Sequence, residues 1–318
     1  MRTLHIGFTV PALCKALSDA SSEYLFLDWT LWTSVPNNTA ALHAKTLETA
    51  ERFKPDLIFL HVQSPGVYTP EVLAKLPGFK VNWTWDFRKL TPQWMIDCGR
   101  SVDVTAFTND EDVMFMRALG MNAEFIQSGF NDDIFRPDGG VGEYPQIVFM
   151  GNNYPKEDYD FPLADYRIKM VNTLSSKYGT NFGVYGFGWG NDMRNFMYRE
   201  AKEAECYRSS KVAINVSHFD ALRYTSDRML RLMGSGALCL SKWYPGIELD
   251  FEDKINIRVW HDLDELDELI EYYLDERNKD ERIRISQAGC ELVHRNYTWN
   301  HMADKIKNLV TNDSYVRR

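Results

Sequence analysis

The sequence predicts two consecutive α/β domains, each built on a parallel sheet with helices on both faces. Three observations carry this. At 318 residues the chain exceeds what a single hydrophobic core usually organises. Short apolar, β-branched runs alternate with helix-length segments, and they are apolar almost throughout, as strands buried on both faces must be. The rhythm breaks once, over the turn-rich and polar residues 129–143, and then resumes. These boundaries predict an N-terminal domain at 1–128, a linker at 129–143, a C-terminal domain at 144–298 and a closing segment at 299–318.

In the first domain, strands are expected at 4–8, 24–27, 56–60, 80–83 and 104–107. Helices are expected near 12–19, 39–53, 70–76, 92–98 and 109–119. Pro70 after Thr69 marks one helix start, and Asn109 and Gly120 bracket another helix. In the second domain, strands are expected at 146–150, 182–186, 211–216 and 237–240, with helices at 165–177 and 226–235. Leu263, Leu266, Ile270 and Tyr273 recur at helical spacing. So do Trp299, Met302, Ile306 and Leu309, in a terminal helix after a short Gly-Cys-Glu helix at 289–294. Two such domains in series place a cleft between the carboxyl ends of two sheets, where open α/β sheets bind ligands.

Composition excludes several classes. No apolar run approaches the roughly 20 residues that span a bilayer, and the N-terminus lacks the features of a signal peptide, so the expectation is a cytoplasmic protein without membrane insertion. Five Cys without C-x-x-C spacing argue against a disulfide framework and a zinc site. The net charge of -9 is concentrated in residues 246–281, which hold 14 acidic and 4 basic residues. Residues 192–242 hold nine basic and six acidic residues, so that region permits an anionic ligand. Aromatic residues make up 14% of the chain, enough both for core packing and for a stacking surface.

The chemistry concentrates in residues 212–240. A buried strand ends in the polar pair Ser217-His218, a loop carries Arg223 and Tyr224, and Ser226 or Asp227 caps the next helix. The helix start offers free N–H groups and a positive dipole end to an anion. Arg228 and Arg231 lie one turn apart, and Gly234 and Gly236 permit close approach or a sharp turn. A nucleoside diphosphate leaving group needs such a helix end and a guanidinium. The same letters also fit a surface loop and a glycine helix stop.

The run from Ser226-Asp227-Arg228 through Gly234-Ser235-Gly236 to Leu240 resembles the donor-binding signature of CgeB-like (spore-maturation-type) glycosyltransferases, of the group-one GT-B superfamily. The pattern continues in Trp260-His261-Asp262, Tyr272-Tyr273-Leu274, Ala288-Gly289 and His294 to Trp299, and upstream in Val148 to Asn152, Val184 to Trp189 and Gly129 to Pro137. The resemblance covers most of residues 125–311 and implies a GT-B fold with two Rossmann-like domains facing a central cleft. It implies a last helix that crosses back to the N-terminal domain. It also implies a nucleotide-sugar donor, a UDP-sugar foremost, held by the C-terminal domain through Gly151, Asn152, Tyr185, Gly186, Arg223, Ser226, Asp227, Arg228, Arg231 and Gly236. Tyr185 and Trp189 are candidates to stack on the base, and Tyr185 is equally a core candidate. No metal or other cofactor is implied, because Arg, Lys and helix ends replace magnesium in this fold. Asp262-Leu263-Asp264 reads as a helix cap instead of a metal motif. One departure stands out: many relatives carry a ribose-binding Glu where this chain has Arg231, and Arg cannot accept those hydrogen bonds.

The acceptor is expected against the N-terminal domain, near His61, Gln63 and Trp85 at strand ends. Asp86, between aromatics, is a candidate general base with a pKa raised by burial; a helix cap or an ion pair with Arg88 explains it as well. His218 is the second catalytic candidate. The expected reaction is sugar transfer from the nucleotide sugar to a hydroxyl on a glycan, protein, metabolite or hydroxymethylated DNA base. The nucleic-acid acceptor lacks a supporting Lys/Arg stripe. A non-catalytic nucleotide- or sugar-binding protein and a nucleotide-sugar epimerase are the alternatives.

Overall fold

A computed structural model describes residues 1–34, 38–154, 161–189, 199–312 and 315. The chain divides into two compact units, Met1–Gly129 with Trp299–Arg318, and Phe130–Thr298.

The first unit runs β1 (Arg2–Gly7), α1 (Pro11–Asp19), β2 (Glu23–Asp28), α2 (Thr30–Thr33), α3 (Thr39–Phe53), β3 (Leu57–Leu60), α4 (Pro70–Lys75), β4 (Phe79–Thr84), α5 (Gln93–Gly99), β5 (Val104–Phe107), α6 (Asp110–Ala118) and β6 (Ala123–Phe125). Its six strands lie in the order β2-β1-β3-β4-β5-β6, all parallel. β3 is buried at every position, so no polar alternation is left on it. The α6 start is the one expected: Asn109 Oδ1 accepts the Asp112 N–H, with three acidic residues in the first turn. β6 was not expected; three residues long, it has too little apolar sequence to show a period.

The second unit runs β7 (Ile147–Met150), α7 (Ala164–Tyr178), β8 (Phe182–Tyr185), α8 (Glu200–Ser209), β9 (Val212–Asn215), α9 (Asp227–Gly234), β10 (Leu238–Lys242), β11 (Arg258–Trp260), α10 (Leu263–Leu274) and α11 (Lys279–Asn296). Its sheet is parallel in the order β11-β10-β9-β7-β8. Asp262 caps α10 by accepting two backbone N–H groups, so Asp262-Leu263-Asp264 is a helix start. α8 and β11 were not expected from sequence, and the short helix expected at 289–294 is the end of the 18-residue α11. Within the segment expected as a linker, Phe130 and Phe135 are buried in the second unit's core.

The last helix, α12 (Trp299–Val310), returns to the first unit. Its buried face of Trp299, Met302, Ala303, Ile306 and Leu309 joins Leu13, Ala16 and Leu17 of α1 and Trp83 of β4 in one core. Among the described residues no helix is long and apolar enough to cross a membrane.

Candidate donor site and acceptor side

In the second unit, the ends of β7, β8 and β9 and the start of α9 bring polar groups together. Gly151, Asn152 and Asn153 after β7 interlock with Gly186, Phe187 and Gly188 after β8. The Gly151 N–H donates to the Tyr185 carbonyl at 2.8 Å, the Asn153 N–H to the Phe187 carbonyl at 2.7 Å, and the Phe187 N–H to Asn152 Oδ1 at 2.9 Å. Gly186 has φ of +131°, and a Cβ there would sit 2.5 Å from the Gly151 carbonyl oxygen. Asn152 also donates from Nδ2 to the Tyr154 hydroxyl, and the Trp189 indole N–H donates to the Gly151 carbonyl. Gly151, Asn152 and Gly186 therefore shape the loops, and the Asn152 amide is already engaged on both sides.

Arg167 is the residue that the sequence reading missed. It lies on the buried face of α7 with Met170, Val171 and Leu174, a cation at the i position of an i, i+3, i+4, i+7 apolar stripe. That position was the available signal. The side chain is 2% exposed, and its guanidinium rests on the Phe149 ring with 5.3 Å to the centroid. A Cβ on Gly151 would lie 2.3 Å from Arg167 Nη2, so glycine there makes room for the guanidinium. Nη1 donates to the His218 imidazole, 2.6 Å from Nδ1 and 2.5 Å from Nε2. Nε and Nη2 are buried and have no hydrogen-bond partner among the described residues.

His218 is consequently an acceptor for Arg167. Burial, Arg167 and Arg228 push its pKa down to about 2, and its ring packs 4.3 Å from Phe161 and 5.4 Å from Tyr154. This corrects its expected catalytic role: an imidazole held neutral beside two guanidinium groups positions Arg167 and is no proton carrier near neutral pH.

Ser226 is the N-cap of α9, but its hydroxyl makes no capping bond. Asp227 Oδ1 accepts the Arg228 N–H at 2.9 Å, and Asp227 Oδ2 accepts from Arg231 Nη2 at 2.8 Å. Arg228 has no carboxylate partner among the described residues, and its charge acts on both Arg167 and His218. Among the described residues neither guanidinium has an ion-pair partner, and both stand beside a helix start that carries positive partial charge.

Four other donor-side residues are engaged within the protein, with Tyr185 and Gly236 taking the core and turn roles given as their alternatives. Arg231 is partly buried: Nη1 donates to Glu203 Oε2 at 2.9 Å and Nη2 to Asp227, so its guanidinium faces two carboxylates. Glu203, from α8, is fully buried, and desolvation raises its pKa to about 7. Arg223 forms a two-point ion pair with Asp250 at 2.7 and 2.9 Å, which commits its guanidinium to structure. Tyr185 sits in the core at 5% exposure, so its ring is not a stacking surface. Gly236, with φ of +86°, ends α9 in a Schellman turn, in which the Ala237 N–H reaches the Leu232 carbonyl and the Gly236 N–H the Met233 carbonyl.

In the first unit, His61 is fully buried, with its ring centroid 4.2 Å from that of Phe8 and 5.7 Å from that of Trp85. Burial and His5 hold its pKa well below the usual histidine value. Neither ring nitrogen has a partner among the described residues. Gln63 donates from Nε2 to the Trp83 carbonyl and accepts at Oε1 from the Trp85 N–H, while Trp85 itself is partly exposed. Asp86 is exposed, so the burial behind its expected role as a perturbed base is absent. Among the described residues no three His, Cys, Asp or Glu side chains form a group that could hold a metal ion.

Two parallel Rossmann-like sheets in series, with the closing helix returned to the first unit, decide the architecture. The fold is GT-B. Residues 167–308 match the family model described as glycosyl transferase-like. Among solved GT-B relatives, HepE of Anabaena in complex with UDP-glucose is 13% identical, with a TM-score of 0.61 over 98% of this chain and 99% of that one. A glycosyltransferase from Rickettsia africae is 11% identical, with a TM-score of 0.63 over 100% and 99% of the two chains. Sucrose-phosphate synthase from Thermosynechococcus elongatus is 10% identical, with a TM-score of 0.60 over 98% of each. No curated protein sequence matches the chain. At these identities the likeness is one of GT-B fold.

Proposed function

We propose that this chain is a glycosyltransferase that binds a UDP-sugar on its second unit and transfers the sugar to a hydroxyl acceptor held by the first. One observation carries the reading: among the described residues, Arg167 and Arg228 stand without carboxylate partners beside the α9 start and the Gly151 loop. Leaving a guanidinium buried and uncompensated costs several kcal/mol, and a diphosphate removes that cost. The family match over residues 167–308 and the UDP-glucose complex of HepE support the same ligand class. The order of motifs from Ser226 to Leu240 supports a CgeB-like relation.

In this reading Arg228 and the α9 N–H groups neutralise the diphosphate as the bond from the sugar C1 to the phosphate oxygen breaks. The acceptor oxygen forms the new bond to C1. Its proton goes to a carboxylate, for which Asp86 is the candidate, or to an oxygen of the departing diphosphate. Arg231 contributes indirectly by fixing Asp227, and the cations supply the charge that a metal ion supplies elsewhere.

Thermal-shift measurement with UDP, UDP-glucose and other nucleotide sugars tests the donor assignment, since a ligand of the native state raises the melting temperature. Arg228→Ala is expected to abolish that shift and to lower UDP release by at least ~10²-fold, the scale of one lost transition-state donor. Near-wild-type turnover in this variant sinks the site. A nucleotide-binding protein without catalysis shows the shift and no UDP release; an epimerase converts the nucleotide sugar with no acceptor present.

A further inference from the structure

The loop that follows β4 is held by its surroundings to a degree that its own packing does not require. The Trp85 N–H donates to Gln63 Oε1 at 3.3 Å, and Gln63 Nε2 donates to the Trp83 carbonyl at 3.1 Å. Thr108 Oγ1 donates to the Trp85 carbonyl at 2.7 Å. Arg88 donates from Nη1 to the Asp86 carbonyl at 3.2 Å and from Nη2 to the Gln63 carbonyl at 2.8 Å. Side chains from three segments thus fix successive backbone groups of a partly exposed Trp and an exposed Asp. The Trp85 ring packs partly against the first unit's core, but fixing the backbone groups around it opposes chain entropy beyond what that packing supplies, so the loop has the character of a site organised before its ligand arrives.

What the loop presents is specific. The Trp85 ring lies nearly parallel to that of Phe8, with 6° between planes and 6.4 Å between centroids, and Phe8 is also partly exposed. Beside both rings packs His61, whose two ring nitrogens are buried and without a partner among the described residues. Trp299 packs edge-on to Trp85 at 5.6 Å and blocks its rotation. An aromatic face takes up the C–H face of a sugar ring, and a neighbouring carboxylate accepts from its hydroxyls. A nucleic acid also stacks on aromatics but needs cations for its phosphates. The guanidinium of this loop, Arg88, is spent on two carbonyls and on the Trp94 ring at 5.4 Å.

We propose that the Trp85–Asp86 loop of the first unit is a saccharide-binding site, which takes the acceptor as a carbohydrate stacked on Trp85 and Phe8. This rests on the glycosyltransferase reading for the word acceptor, while saccharide binding itself can be measured without it. The full chain is applied to a glycan array, and the retained saccharides are followed by saturation-transfer NMR with wild type, Trp85→Ala, Trp85→Phe and Asp86→Asn. The expected result is saturation strongest on one C–H face of the sugar. Trp85→Ala is expected to weaken binding at least tenfold, and Trp85→Phe, which keeps a ring in place, to recover part of it. Unchanged thermal stabilisation of Trp85→Ala by UDP shows that this variant is folded. No saccharide retained by a wild-type protein that UDP stabilises overturns this proposal and leaves the donor reading standing. Trp85-dependent retention of hydroxymethylated DNA in place of saccharide also overturns it. Saccharide binding by a protein that no nucleotide stabilises supports the site and sinks the donor reading.

Discussion

Arg167, buried, and Arg231, partly buried, are both guanidinium groups of the second unit, and their surroundings make them opposites. Arg231 is bound by two carboxylates, which hold its pKa above the usual arginine value against desolvation. Arg167 has a neutral imidazole, an aromatic face and the repulsion of Arg228, all of which leave its charge uncompensated. Replacing a buried charge by an apolar group of similar length is often neutral or stabilising, by about 1–4 kcal/mol. Arg167→Met is therefore expected to melt no lower than wild type without ligand and to lose most of its stabilisation by UDP. Calorimetric melting with and without UDP checks both parts. A variant that melts much lower, with its UDP response intact, makes Arg167 purely structural.

At the scale of the element, α9 shows how one helix serves two ends. Its start carries Arg228 and an uncapped Ser226; its end turns on Gly236 at φ of +86°, against Pro137. A residue with a Cβ in that left-handed conformation costs roughly 1–2 kcal/mol. Gly236→Ala is expected to lower unfolding free energy by about that much, measured by denaturant titration, and to leave UDP affinity within a few-fold. A large loss of affinity with unchanged stability restores Gly236 to the ligand site. α8 escaped the sequence reading because its apolar face includes Glu203, a carboxylate whose partner lies 28 positions along the chain on α9. Periodicity counts a buried Glu as solvent-facing, and only the facing helix shows otherwise.

The whole molecule titrates through opposed groups. His5, at about 3, and His61, held well below the usual histidine value, are neutral when folded, whereas an unfolded histidine takes a proton near 6.5. Their stabilisation is complete above pH 6.5 and falls on acidification, by up to about 1.4 kcal/mol per pH unit for each. Glu203 acts the other way: raised to about 7 from 4.5, its contribution is complete below 4.5 and is lost as pH rises to 7. Between pH 4.5 and 6.5 it offsets roughly one histidine. Glu203→Gln is expected to steepen the acid loss of stability, as read from melting temperatures across that window; a parallel profile means that Glu203 is ionised throughout. The returned helix is the other feature of the whole chain. Ile306, fully buried among α1, β4 and α12 residues, is expected to cost about 2–5 kcal/mol when replaced by alanine, by denaturant titration. A loss below 1 kcal/mol means that α12 is not part of that core.

The sequence by itself determined most of the succession of elements, without β6, α8 and β11, and that was enough for the fold class. Continuous apolar strands, Asn109 and Asp262 as caps, and the stripe from Trp299 to Leu309 are local patterns that need no partner to be read. It also marked Ser226 to Gly236 as the segment of interest, with Arg228 at the start of a helix. Tertiary structure decided which charges are spent. Arg223, Arg228, Arg231 and Arg167 are the same letter in the sequence, yet two are paired with Asp250, Glu203 and Asp227, and two have no carboxylate partner among the described residues. That difference is set by carboxylates brought from other elements across distances no local pattern encodes. The same holds for His218, an acid–base candidate in the sequence and a hydrogen-bond acceptor once Arg167 is folded against it.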